Sequence, residues 1–372
     1  MQTHIRENRS LTAAAGVLAV LGGFAALYFA RPLFIPITLA CVLALVLAPI
    51  VRLLCNAGLP RALAAGGVVA AAIALASGVL LRLSTPATEW FARLPEGVAR
   101  LRYAFREVAV ALQDMKKFTE DMAALSPGRE GGEVVVQGPD LAQIFLTNAG
   151  QLLTMIVVTA VLLFFLLANG YLFLQKTVHI MPTFGEKKRA VEIGRDLQQV
   201  VSRYLLTITA INLGLGCATA LTMAAFGLPD PLLWGVMAAT LNFIPYVGSI
   251  LTASAILLAA VLTFLSPLQA LYPPLAFLAL TIVEGNLVTP ALVGRRLTLN
   301  PVIVFTCLLF WGWLWGIAGL LLAVPLLVVF KILCDHIPAL RVVGEYLSSL
   351  PPKAEEPAAV IEPAGEKPAG IG

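Results

Sequence analysis

Charge is absent from long stretches of this chain, and that constrains its fold more than any other feature. No charged residue lies between Arg9 and Arg31, Arg31 and Arg52, Arg61 and Arg82, or Asp140 and Lys176. From Arg203 to Arg295 the only charges are Asp230 and Glu284, and the run from Arg296 to Lys331 is uncharged again. A helix crosses the hydrocarbon core of a bilayer with about 20 apolar residues, and these gaps match or exceed that. Lipid offers no partner for backbone N–H and C=O groups, so spans of this kind must be helical or closed barrels. A barrel would alternate apolar and polar residues, whereas these runs are continuous. Composition agrees: 59% of residues are hydrophobic and 12% charged, where soluble domains carry about 25% charge. Mean hydropathy is +0.90. The fold class is therefore an all-α polytopic membrane protein.

The expected spans are Leu11–Ala30, Leu33–Val51, Ala62–Leu81, Gln151–Leu174 and Leu205–Phe226, followed by an interrupted region from Pro231 to Phe330. Arg6 and Arg9 ahead of the first run resemble a signal peptide, but the run lacks a polar cleavage region and reads as a retained span. Lys and Arg favour cytoplasmic loops. Arg6 and Arg9 put the N-terminus inside; the Arg52–Arg61 loop and the basic 175–203 loop are inside too. Residues 84–149 fall outside, where acids outnumber bases. The resulting organisation is N-terminal membrane helices (1–83), an extracytoplasmic segment (84–149), a span with a cytoplasmic amphipathic helix (150–204), a transport core (205–335), and a cytoplasmic segment with a disordered tail (336–372).

In the outer segment, Leu94, Val98, Leu101, Phe105, Val108, Leu112 and Met115 form a heptad seam, with Pro95 suited to a first helical turn. Such a seam faces either its own bundle and membrane or another subunit. Ser126 to Pro139 reads as a turn-rich loop. Glu186 to Tyr204 reads as an amphipathic helix whose basic face suits anionic head groups. Five cysteines (Cys41, Cys55, Cys217, Cys307, Cys334) fit no metal or redox spacing and serve as small hydrophobes. The three histidines are too scattered for a metal cluster, so neither a metal nor another cofactor is expected. The net charge of +4 is what basic loops produce and implies no nucleic-acid partner.

Two motifs interrupt the second half. Asn242-Phe243-Ile244-Pro245-Tyr246-Val247-Gly248 sets a helix-breaking proline and a permissive glycine between polar side chains. Glu284-Gly285-Asn286-Leu287-Val288-Thr289-Pro290 joins a carboxylate, an amide and a hydroxyl to a second proline. Discontinuous helices at membrane depth expose backbone groups that bind ions and polar solutes, and intramembrane carboxylates are functional by default. Glu284 and Asn286 could instead cap a helix at the head-group boundary, paired with Arg295 and Arg296. A single tilted helix through Pro245 is the alternative to a break there. Lys331 and Arg341 belong inside with Arg295 and Arg296, so Pro301–Phe330 must cross an even number of times. A re-entrant hairpin with Trp311-Gly312-Trp313-Leu314-Trp315-Gly316 at its tip satisfies this, each arm of ~15 residues spanning ~22 Å against a core of ~30 Å.

Together with Arg203-Tyr204, Asn212, Gly227 to Pro231, Leu233-Trp234-Gly235, Gly294-Arg295-Arg296, Trp313 to Gly319 and Pro325, these motifs form an ordered series. It resembles the autoinducer-2 exporter family, also described as PerM-like permeases. The resemblance implies a homo-oligomeric protein of the bacterial inner membrane with about seven or eight hydrophobic segments and both termini cytoplasmic. It also implies export of autoinducer-2 and, in some members, sodium/proton exchange.

The expected function is secondary transport of a small polar solute, with autoinducer-2 as the implied example and H+ or Na+ as the coupling ion. The candidate site comprises Asn212, Asn242, Pro245, Tyr246, Gly248, Glu284, Asn286 and Pro290. Rivals are an oligomeric channel, a cation/proton antiporter of the same family, or a scaffold using the heptad seam. The chain lacks a P-loop and the H-E-x-x-H and G-x-S-x-G motifs, so an enzyme is not expected.

Overall fold

The computed structural model describes residues 21–120, 141–293, 299–337 and 340–348, together with 16, 18 and 19. The tail and the loop expected over Ser126–Pro139 lie outside the described residues. So do Arg295 and Arg296.

Every element among the described residues is helical. Helix α1 (21–29) meets α2 (Arg31–Asn56), followed by α3 (Arg61–Glu120) and α4 (Leu141–Ile180). Helix α5 (Phe184–Asp196) passes through a π-helical turn, Leu197–Val201, into α6 (Ser202–Ala225). Three short helices follow: α7 (Pro231–Leu241), α8 (Val247–Thr263) and α9 (Pro267–Val283). A second π-turn, Glu284–Val288, leads into α10 (Thr289–Val293); α11 (Pro301–His336) and α12 (Arg341–Leu347) complete the order. Among the described residues, six stretches are long and apolar enough to cross a membrane, and α7 and α8 are shorter apolar helices.

One layer packs α2 against α3 and α4 through small residues. Ala40, Ala64 and Ala65 are buried beside Leu163 and Leu167, and Arg61 Nε donates to the Leu167 carbonyl at 3.1 Å. The second half is organised around α11. Gly316 has φ 63 and ψ −140, a conformation that essentially only glycine adopts, and there the chain reverses into a helical hairpin. Cys307 Sγ lies 3.5 Å from the Ala323 carbonyl across it, and a methyl at Gly319 would overlap the Trp311 carbonyl oxygen. Both feet sit together: Asn300 N donates to the Leu347 carbonyl at 3.1 Å, while Gly344 of α12 abuts Asp335. The hairpin expected from charge parity is thus present. Its apolar window is 56% buried, against 6% for Pro267–Val293, so the hairpin is wrapped by other helices while α9 is turned outward.

The ends of the bundle differ chemically. Arg52, Arg61, Arg203 and Lys331 gather where α2 and α11 end and where α3 and α6 begin; Ser202 Oγ ties this end of α6 to the Leu45 carbonyl of α2 at 2.6 Å. This is called the basic end below. At the other end, Trp90 Nε1 of α3 donates to Asp230 Oδ2 at 3.0 Å.

Two local expectations change. Pro95 lies inside the continuous 60-residue α3, as does Pro86, and neither starts a helix. Beside the heptad seam, Gly97 is buried against Leu258 and Leu262 of α8, while Val98 of the seam is exposed and Leu94 and Leu101 are half-buried.

Candidate functional site

Helix α6 has 24 residues, about 36 Å at 1.5 Å per residue. Asn212 lies about 15 Å from its Ser202 end and about 20 Å from its Ala225 end, near the middle. Helix α7 runs back along α6 from Asp230. Gly216 and Gly235 let the backbones touch: a Cβ on Gly235 would stand 2.6 Å from the Gly216 carbonyl oxygen. Helix α7 has only 11 residues, about 16 Å, which is about half the thickness of a core of about 30 Å.

It stops at the first motif. Asn242 Nδ2 donates to Asn212 Oδ1 at 2.9 Å, and Ser249 Oγ donates to Asn242 Oδ1 at 3.3 Å. Pro245 precedes Tyr246, whose φ is 64 and ψ −53. Val247 N donates to the Pro245 carbonyl at 2.7 Å, which makes Tyr246 the centre of a γ-turn with positive φ, a rare and strained geometry. Gly248 then returns so close to Leu241 that a Cβ would overlap the Leu241 carbonyl oxygen. Ile244, 3% exposed, anchors the turn against Leu308 and Ala323 of the α11 hairpin. The chain is broken here, and the single tilted helix through Pro245 is excluded. Asn212 is 2% exposed, and its Nδ2 has no hydrogen-bond partner among the described residues. A buried donor left unpaired costs about 1–3 kcal/mol.

The second motif behaves differently and corrects the expected break. Glu284–Val288 widens into a π-turn, with Thr289 N bonded to the Glu284 carbonyl, and the helix continues into α10. Pro290 therefore sits on a continuing helix. A proline ring clashes with the carbonyl four residues back, and an inserted residue in the turn relieves that clash. Thr289 Oγ1 donates to Glu284 Oε1 in a short hydrogen bond. Asn286 Nδ2 donates to the Ile282 carbonyl at 2.9 Å, and Asn286 and Pro290 are exposed.

Helices α8 and α9 have 17 residues each and pack antiparallel through a three-residue link. Val247 and Val283 therefore fall at the same end, and both motifs reach similar depth. Each keeps its hydrogen bonds to itself: the first holds Asn212, Asn242 and Ser249, the second Glu284, Asn286 and Thr289.

Residues 17–339 match the sequence profile described as AI-2E family transporter. The chain belongs to the AI-2E transporter family. The AI-2 transport protein TqsA of Escherichia coli (strain K12) is 31% identical over 335 residues, covering 87% of this chain and 91% of TqsA. A putative transport protein, YueF, of Bacillus subtilis (strain 168) is 26% identical over 317 residues, covering 82% and 84%. The putative permease PerM of E. coli (strain K12) is 24% identical over 347 residues, covering 89% and 95%.

In this AI-2E family transporter, Asn212, Asn242, Pro245, Tyr246 and Gly248 converge on one buried turn, with Tyr246 itself 58% exposed. Glu284, Asn286 and Pro290 form a separate group on α9–α10. Sequence reasoning missed Ser249 and Thr289, each the hydroxyl partner of a predicted polar residue. A hydroxyl next to a break was the available signal, and Thr289 stood inside the quoted motif.

Proposed function

We propose that this AI-2E family transporter is a secondary carrier that exports a small polar solute, bound at the α7–α8 break. The hydrogen-bonded Asn212–Asn242 pair carries the reading. It stands at the middle of α6 where α7 ends, and the Asn212 amide donor is unspent. A solute carbonyl or hydroxyl oxygen reaching that donor would supply its missing bond, and the carbonyls released by the broken helix add acceptors. Autoinducer-2, for which the relative TqsA is named, is the first solute to test. Glu284 carries the coupling H+ or Na+. Its only side-chain partner among the described residues is a threonine hydroxyl, which leaves the carboxylate free to exchange a proton or hold a cation. In the same reading the basic end faces the cytoplasm of a bacterial inner membrane, with both termini inside, and the chain works as a homo-oligomer.

Glu284→Gln in proteoliposomes should abolish the dependence of flux on a pH or sodium gradient while the protein elutes as the wild type does. Undiminished coupled flux removes Glu284 from the mechanism. Unitary conductance in a planar bilayer would replace the carrier with a channel.

A further inference from the structure

A chamber of about 1150 Å³ opens at the basic end, between the last turns of α2 and α11, the start of α6, and α10. Its charged walls are Arg52, Arg203, Lys331 and Asp335, and Gln198 and Gln199 of the first π-turn line it as well. We propose that this chamber is a binding site for an oxyanion, a phosphate or phosphate ester, entering from the basic end.

Three observations support this. Lys331 is 8% exposed, and its Nζ lies 2.7 Å from Asp335 Oδ2. Burying an ammonium is expensive unless it is paired, and Asp335 offsets its charge. Arg52 and Arg203 then remain on the same walls with no carboxylate within 4.0 Å among the described residues. Both guanidiniums are exposed to solvent and line the same chamber, which biases it toward anions, and their planar donor forks match phosphate oxygens. Asp335 already occupies the place of an anion beside Lys331. Finally, the wall is fixed in shape. Gln198 and Gln199 of the π-turn bring side-chain amides to the wall, and Ser202, next in the chain, is tied to α2; such bulges recur at functional sites.

A general bias of basic residues toward one face of the membrane accounts for the sign of the charge at this end. It does not account for a buried Lys331 on the central hairpin. The chamber also points inward: Thr207, in its wall, is five residues and about 7.5 Å along α6 from Asn212. The proposal concerns binding and does not depend on the carrier reading, so a chain that binds oxyanion without moving solute would fail that reading alone.

The test uses the full chain in nanodiscs of phosphatidylcholine, titrated with inorganic phosphate and read as a rise in thermal midpoint, with chloride at matched ionic strength as control. Wild type should be stabilised by phosphate and not by chloride. The double variant R52Q/R203Q should fold and need about tenfold more phosphate for the same effect. Asp335→Asn removes the competing carboxylate and should need several-fold less, an increase that a purely structural role for Asp335 would not give. In nanodiscs containing phosphatidylglycerol, a loss of the phosphate effect in wild type, together with a lipid-dependent rise in midpoint that R52Q/R203Q lacks, would identify the oxyanion as a lipid head group. An unchanged effect would identify a soluble ligand, and either result supports the site. A chloride-equivalent response in wild type, or a phosphate response unaltered in R52Q/R203Q, overturns it.

Discussion

The motifs at 242–248 and 284–290 look alike as sequence: each places a proline, a glycine and an amide in an apolar run. In the fold the first reverses the chain and the second only widens a helix. Proline does not make the difference. Pro36 and Pro49 lie inside α2, Pro273 and Pro274 inside α9, and Pro325 inside α11, where helices in lipid accommodate them. The chain reverses inside the bundle where φ turns positive, at Tyr246 (φ 64) and Gly316 (φ 63). A glycine at close approach accompanies each, Gly248 against Leu241 and Gly319 against Trp311. Nothing lies within 4 Å of a Cβ built at Gly285. The two reversals inside the bundle thus each combine a left-handed residue with a glycine contact; proline is an accessory.

The largest effect should come from adding a methyl at each glycine. Gly248→Ala drives a Cβ into backbone that has no room to yield, and should destabilise by about 3 kcal/mol. Gly285→Ala should change stability by less than about 0.5 kcal/mol or stabilise the helix. Thermal unfolding in detergent compares the two, and equal effects would erase the distinction. Next come the amides. Asn212→Ala leaves the Asn242 amide without its acceptor and should cost about 2 kcal/mol, whereas the exposed Asn286→Ala should cost about 0.5 kcal/mol or less. The smallest effect concerns strain. Tyr246→Gly relieves the positive φ and loses a largely exposed ring, so it should stabilise by about 1 kcal/mol. Destabilisation by that change would mean that the ring, and not the backbone, holds the turn.

Much of the architecture was legible in the sequence because charge in lipid is costly. Uncharged runs gave the spans, and the charge parity of Arg295, Arg296 and Lys331 demanded the hairpin that Gly316 turns. The continuity of α3 through Pro86 and Pro95 was not legible, since a proline in sequence says nothing about the packing that carries a helix past it. The π-turn at Glu284 was hidden for a related reason: a shift from four- to five-residue hydrogen bonding is decided by neighbours such as α6, not by local propensity. Among site residues, Asn242 announced itself as an amide beside a break. The consequence of Asn212, a lone amide midway along a span, appeared only when α7 was found to end against it.

The central claim is that the reversed segment, and not the widened one, holds the solute. Counterflow of labelled autoinducer-2 in proteoliposomes lacking any ion gradient tests it, with Asn242→Ala and Asn286→Ala reconstituted at equal density and shown to be folded. The account predicts that Asn242→Ala lowers counterflow by about tenfold or more, the equivalent of roughly 1.4 kcal/mol, while Asn286→Ala leaves it within about twofold. Full counterflow in Asn242→Ala would contradict it.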